Sequence, residues 1–133
     1  VIDGFFYITN CHNDGAAFSL FSGNVLFLIL ITFMVLYLIY KTIEKNNVNK
    51  IGTISYGLLL GGILGNLFDR IFYGYVIDYL DFRIFNFNFA IFNLADMAIV
   101  IGAILLIVFE GSGNDGRKNK GRSRKLRKEW KNR

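Results

Sequence analysis

The 133-residue chain contains no proline and only one cysteine, one histidine and one tryptophan. A single cysteine, Cys11, excludes an internal disulfide framework, and a buried or lipid-facing position is the ordinary reading of such a residue. A single histidine, His12, has no partner at metal-ligand spacing, and as a sequence neighbour of Cys11 it makes no nucleophile–base geometry. No P-loop or dinucleotide fingerprint is present, because the glycines between Gly57 and Gly65 sit in an apolar run and not after a strand. Internal repeats are absent. Charge is also scarce over most of the chain: residues 1–116 hold five Lys or Arg and nine Asp or Glu. No cleavable signal peptide is expected, since the first long apolar run begins only near Phe18.

What is abundant is apolar surface. The chain is 53% hydrophobic and 17% aromatic, and its mean hydropathy of +0.41 is high for a soluble domain. Three apolar runs stand out: Val25–Tyr40, Ile51–Phe68, and Met97–Phe109 with a backward extension to Ala90. About 20 apolar residues cross a ~30 Å hydrocarbon core, so spans are predicted at about 22–40, 51–69 and 91–109. Three such runs leave too little polar face to dissolve a chain of this length. The loop Lys41–Lys50 carries three Lys against one Glu, and residues 117–133 carry ten Lys or Arg against one Glu. By the positive-inside bias both face the cytoplasm. Val1 and the segment Asp69–Ile91 then lie outside.

The outer segments read as strand. Phe5–Thr9 and Ala16–Leu20 flank Asn13-Asp14-Gly15, a hairpin signal, and residues 81–90 show partial alternation. The expected fold is therefore a membrane all-α bundle with a small extracytoplasmic β element. Residues 1–110 form the membrane domain, and residues 111–133 form a basic cytoplasmic tail, disordered by composition and suited to anionic head groups. Residues 117–129 lack the aromatic interleaving of a specific nucleic-acid reader.

Polar residues inside this apolar frame are the candidates for chemistry. Gly57, Gly61 and Gly65 recur every four residues, a ridge that lets a second helix approach closely. Gly62, Asn66 and Arg70 form a neighbouring stripe, in which Arg70 could equally snorkel or pair with Asp69. Asn93 and Asp96 have the spacing of a helix cap, yet Asp96 also heads a long apolar run, where an ionisable group is costly. Asp78 lies in the apolar setting Val76-Ile77-Asp78-Tyr79-Leu80, near the same membrane face. Two carboxylates brought together share a proton, one acting as acid and the other as base. A helix N-terminus would favour Asp96 as the ionised member.

Four blocks carry a resemblance to a known family. His12-Asn13-Asp14-Gly15-Ala16-Ala17-Phe18-Ser19, Gly61-Gly62-Ile63-Leu64-Gly65-Asn66-Leu67-Phe68-Asp69-Arg70, Gly74-Tyr75-Val76-Ile77-Asp78-Tyr79 and Phe92-Asn93-Leu94-Ala95-Asp96 resemble, in this order, blocks of the bacterial lipoprotein signal peptidases (signal peptidase II). The resemblance covers about residues 1–110. It implies an intramembrane aspartic endopeptidase of the bacterial cytoplasmic (inner) membrane. Such an enzyme removes signal peptides from diacylglyceryl-modified prolipoproteins and cuts before the lipidated cysteine. It implies Asp78 and Asp96 as the catalytic pair, with Asn13, Gly15, Asn66, Arg70 and Asn93 binding substrate or supporting the pair, and neither metal nor cofactor. Family members have four spans, so the first span is expected to be missing before Val1. Tyr79 stands where Phe is usual, and Met97 where a small residue is common. A non-catalytic membrane protein with a tethering tail, and a small channel or carrier using the two Asp residues, are the rival classes.

Overall fold

The structure, a computed structural model, describes residues 1–85 and 87–131, with the backbone alone for residues 110–120. In chain order the elements are β1 (Phe6–Asn13), a short 3₁₀ turn (Ala17–Ser19), α1 (Val25–Lys45), α2 (Lys50–Tyr73), β2 (Val76–Ile84), β3 (Phe87–Phe92) and α3 (Leu94–Lys131).

Local chemistry sets several helix ends. Asn49 caps α2 by accepting the Gly52 N–H at 2.7 Å, which satisfies a donor the helix cannot. Gly74 closes α2 in the left-handed region (φ 77°), with its N–H on the Arg70 carbonyl, a stop that suits a residue without Cβ. Asn93 caps α3, so that helix begins at Leu94 and its apolar part, Leu94–Phe109, is shorter than the predicted span 91–109. Residues 87–92 belong to β3 instead.

Among the described residues, two helices are long and apolar enough to cross a membrane, α1 and α2. In α1 the most apolar window has a mean hydropathy of 2.3 with only 6% of its residues buried, and Leu28 alone is buried. Its other residues are half-buried or exposed, and an apolar helix so little covered by its own chain needs lipid or another apolar helix around it. The α2 helix packs closely along α3. A Cβ on Gly62 would meet the Ala95 carbonyl and lie 2.7 Å from Ile99 Cγ1, and one on Gly102 would lie 2.7 Å from the Ser55 carbonyl. The approach therefore runs along Ser55, Leu59, Gly62 and Asn66. The predicted ridge is corrected: Gly57 and Gly61 face open space, and only Gly65 touches α3, through Ala95.

The three strands form one antiparallel sheet in the order β1-β2-β3. The predicted hairpin around Asn13-Asp14-Gly15 is not formed. β1 pairs with β2, placing Cys11 opposite Asp78 and Asn13 opposite Val76, while residues 16–20 turn through the 3₁₀ segment. Phe18, Ser19 and Phe21 all have φ near 55°, so this stretch cannot lie flat as a strand. The strand signal of residues 81–90 is divided between β2 and β3, with Phe85 at the turn in the left-handed region.

The basic stretch also differs from expectation. Its backbone continues α3 as helix to Lys131, and residues 121–131 are all exposed. Lys, Arg and Leu are good helix formers, whereas composition rules for disorder weigh core burial, which an exposed helix does not need.

Candidate functional site

The sheet and the α2–α3 pair bring four distant pieces of chain to one place. Strand β2 carries Asp78, 4% exposed, between two amide donors. Asn13 Nδ2 donates to Asp78 Oδ2 at 3.0 Å, and Asn93 Nδ2 donates to Asp78 Oδ1 at 3.0 Å. The same Asn93 amide donates its other hydrogen to Asn66 Oδ1 at 3.1 Å. Asn66 Nδ2 in turn donates to Asp96 Oδ1 at 2.8 Å. Asp78 and Asp96 are thereby joined through the side chains of Asn93 and Asn66.

The helix cap and the site are one structure. Asn93 Oδ1 accepts the Asp96 N–H at 3.0 Å, and Asp96 Oδ2 accepts the Asn93 N–H at 3.1 Å, a reciprocal capping box. Both amide hydrogens and the oxygen of Asn93 are thus engaged. Turning its amide over would set an oxygen against two acceptors, so the network admits one orientation.

Arg70 neither snorkels nor pairs with Asp69. Its Nη2 donates to the Gly15 carbonyl at 3.0 Å and its Nη1 to the Asn66 carbonyl at 3.3 Å, which ties α2 to the segment after β1. That segment is held from its other side by Asn13, whose Oδ1 accepts the Gly15 N–H at 2.9 Å and whose Nδ2 reaches the Ala16 carbonyl at 3.1 Å. Gly15 is required on steric grounds, because a Cβ there would lie 2.6 Å from the Leu20 carbonyl oxygen. All seven residues singled out from the sequence therefore meet. Asp78 and Asp96 stand at the centre, Asn66 and Asn93 join them, and Asn13, Gly15 and Arg70 close one side.

Burial pushes the Asp78 carboxyl above its ordinary pKa, because a low-dielectric setting disfavours the charged form. The Asn13 amide opposes this by hydrogen-bonding the carboxylate. The Asp96 charge raises the value further, while Asn93 and Arg70 lower it.

Beside Asp78 lies a cavity of about 130 Å³ lined by Cys11, Asn13, Phe18, Ser19, Asp78, Ala90 and Ile91, room for a small substrate group or a few waters. Sequence reasoning missed Cys11, Phe18, Ser19, Ala90 and Ile91 as lining. Only the strand register places Cys11 across from Asp78. Tyr79 also acquires a task, since its hydroxyl accepts the Leu94 N–H at 3.2 Å at the start of α3. That donor is one of those a helix start leaves without an intrahelical partner.

The fold recurs in solved membrane enzymes. One bacterial membrane enzyme determined in meso at 2.3 Å superimposes with a TM-score of 0.76 at 37% identity, covering 87% of this chain and 71% of that one. A second, determined at 1.9 Å, gives 0.68 at 39% identity, covering 81% and 70%. The sequence profile described as signal peptidase (SPase) II matches residues 1–110. The lipoprotein signal peptidase of Francisella tularensis subsp. novicida is 44% identical over 112 residues, 80% of this chain and 70% of its own. That of Halothermothrix orenii is 45% identical over 109 residues, 82% and 72%. The chain belongs to the signal peptidase II family, proteases that remove signal peptides from prolipoproteins.

Proposed function

We propose that this chain is an aspartic endopeptidase working at the extracytoplasmic face of the bacterial cytoplasmic membrane, with Asp78 and Asp96 as its catalytic pair. The observation that carries the reading is the amide relay that links the two carboxylates in an otherwise apolar surround. Asp78, with its raised pKa, holds the proton and hydrogen-bonds the scissile carbonyl. Asp96, in the first turn of α3, takes a proton from water as the water attacks the carbonyl carbon. The oxygen of the tetrahedral intermediate takes the Asp78 proton; collapse returns it to Asp78, and the Asp96 proton passes to the departing amine. Asn13, Asn66 and Asn93 hold the carboxylates, and Arg70 with Gly15 holds the covering segment. No step calls for a metal or cofactor.

The substrate is read as a prolipoprotein signal peptide cut before its diacylglyceryl-modified cysteine. Residues 1–110 are the peptidase domain, with α1, α2 and the apolar part of α3 as three spans. Residues 111–133 are a cytoplasmic tail facing anionic head groups. The test is processing of a diacylglyceryl prolipoprotein by the full-length protein, compared with Asp78→Asn and Asp96→Asn at matched folding. Each substitution is expected to lower the rate at least about a thousandfold, on the scale of losing an essential acid or base. Processing that survives either change overturns the pair.

A further inference from the structure

Helix α3 joins two parts of opposite chemistry. Leu94–Phe109 is apolar, whereas the described residues 121–131 include Arg122, Arg124, Lys125, Arg127, Lys128 and Lys131, with Glu129 the one acid. All of these side chains are exposed, and among the described residues none of the six cations is in an ion pair. Leu126 and Trp130 lie four residues apart, hence on one helix face, and are 51% and 81% exposed. Helical spacing sets Arg122 and Arg127 on the two flanks of that apolar pair, with Arg124, Lys128 and Lys131 behind.

A leucine and a tryptophan flanked by cations match a water–lipid boundary. The indole prefers the head-group level, the cations prefer anionic head groups, and a helix with both lies in the interface plane. A nucleic-acid strand is the poorer fit, because a single aromatic offers no succession of stacking platforms. We infer that residues 122–131 form an amphipathic helix bound flat to the anionic lipid surface at the C-terminal end of the α3 span, with Leu126 and Trp130 set into the interface. The inference rests on reading Leu94–Phe109 as a span. Continued straight, α3 would carry Trp130 roughly 31 Å beyond Phe109, well outside a Debye length of about 8 Å. In the structure α3 runs through this stretch as one helix, so lying flat requires it to bend on the membrane; Gly111, Gly113, Gly116 and Gly121 lie between the two parts, and glycine is where a helix most readily gives way.

Trp130 is the only tryptophan of the chain, so its emission reports the tail directly. The whole protein is inserted into lipid nanodiscs of phosphatidylcholine, with or without phosphatidylglycerol, and Trp130 emission and its quenching by brominated lipid are recorded. With phosphatidylglycerol, a blue shift and strong quenching are expected, both reversed by high salt. Each of R124Q, K125Q, R127Q and K128Q is expected to lower the bound-to-free ratio of the tail about fivefold. Equal emission and quenching in the two lipids overturns the proposal, as does a Trp130 signal that answers added RNA and ignores lipid charge. Protein that does not insert at all defeats the span reading and this inference with it. Inserted protein whose Trp130 ignores lipid charge defeats the tail alone, and prolipoprotein processing in the same discs reports separately on the catalytic reading.

Discussion

Asp78 is the residue whose environment most directly sets activity. Its carboxyl sits above the usual range because it is buried, and Asn13 is the strongest influence pulling it back. If Asp78 must carry the proton, activity is lost as pH rises through its elevated pKa. Asn13→Ala removes a hydrogen bond that favours the charged form, so the pKa rises further. The alkaline limb of the pH–rate profile is therefore expected to move to higher pH, although the rate itself falls as the segment around Gly15 loosens. A limb that stays in place or moves down would contradict this assignment. The same shift fixes the stability trend. A carboxyl whose folded pKa is raised contributes its stabilisation below the unfolded value and loses it as pH rises through the folded one. Asp78 thus makes the fold less stable at neutral pH than in mild acid.

At the scale of elements, the α2–α3 contact and the strand pairing decide whether the two carboxylates meet. A Cβ on Gly62 would collide with the Ala95 carbonyl, one residue before Asp96, while one on Gly61 would meet open space. Gly62→Leu is expected to force the helices apart, costing about 1–3 kcal/mol or more as overpacking does, and to abolish processing because Asn66 and Asp96 separate. Gly61→Leu is expected to leave both stability and processing near those of the parent. Thermal unfolding in detergent, read beside prolipoprotein cleavage, compares the two. Equal damage from both substitutions would mean that the exposed glycine face is packed as well. Strand β2 contributes through its neighbours, since β1 delivers Asn13 and β3 runs straight into the Asn93 cap.

Over the whole molecule, the sided distribution of charge predicts an arrangement across the membrane. The Lys41–Lys50 loop and the basic end of α3 belong on one side, and the sheet with the paired carboxylates on the other. Single cysteines from Asn47→Cys and Ser123→Cys, in a Cys11→Ser background, are expected to react with an impermeant maleimide only from the cytoplasmic side. Gly4→Cys is expected to react only from outside. Labelling of Asn47→Cys and Ser123→Cys from opposite sides would break the three-span reading and move the tail away from the leaflet proposed for it.

Much of the site could be read from the sequence because its signals are short-range. The Asn93–Asp96 cap follows from a spacing of three residues, and the stripe Gly62, Asn66, Arg70 from helical periodicity. The helices α1 and α2 follow from apolar run length. Four blocks in order were enough to collect all seven residues of the site. What the sequence did not reveal depends on contacts between distant segments. Residues 6–8 carry no mark that their partners are residues 80–82 and not the nearer Ala16–Leu20, so the local Asp-Gly signal pointed to the wrong hairpin. Glycines at every fourth position describe a ridge without saying which helix face has a neighbour. Gly62 and Gly102 touch a helix, and Gly57 and Gly61 do not, because the cap at Asn93 sets where α3 begins and so which face it meets. Cys11 joins the cavity, and Arg70 turns to Gly15, only once β1 is laid beside β2. Periodicity and capping are properties of a few adjacent residues, and the sequence alone determines them. Register and helix contact are settled by burial across the whole fold, and only the tertiary structure decides them.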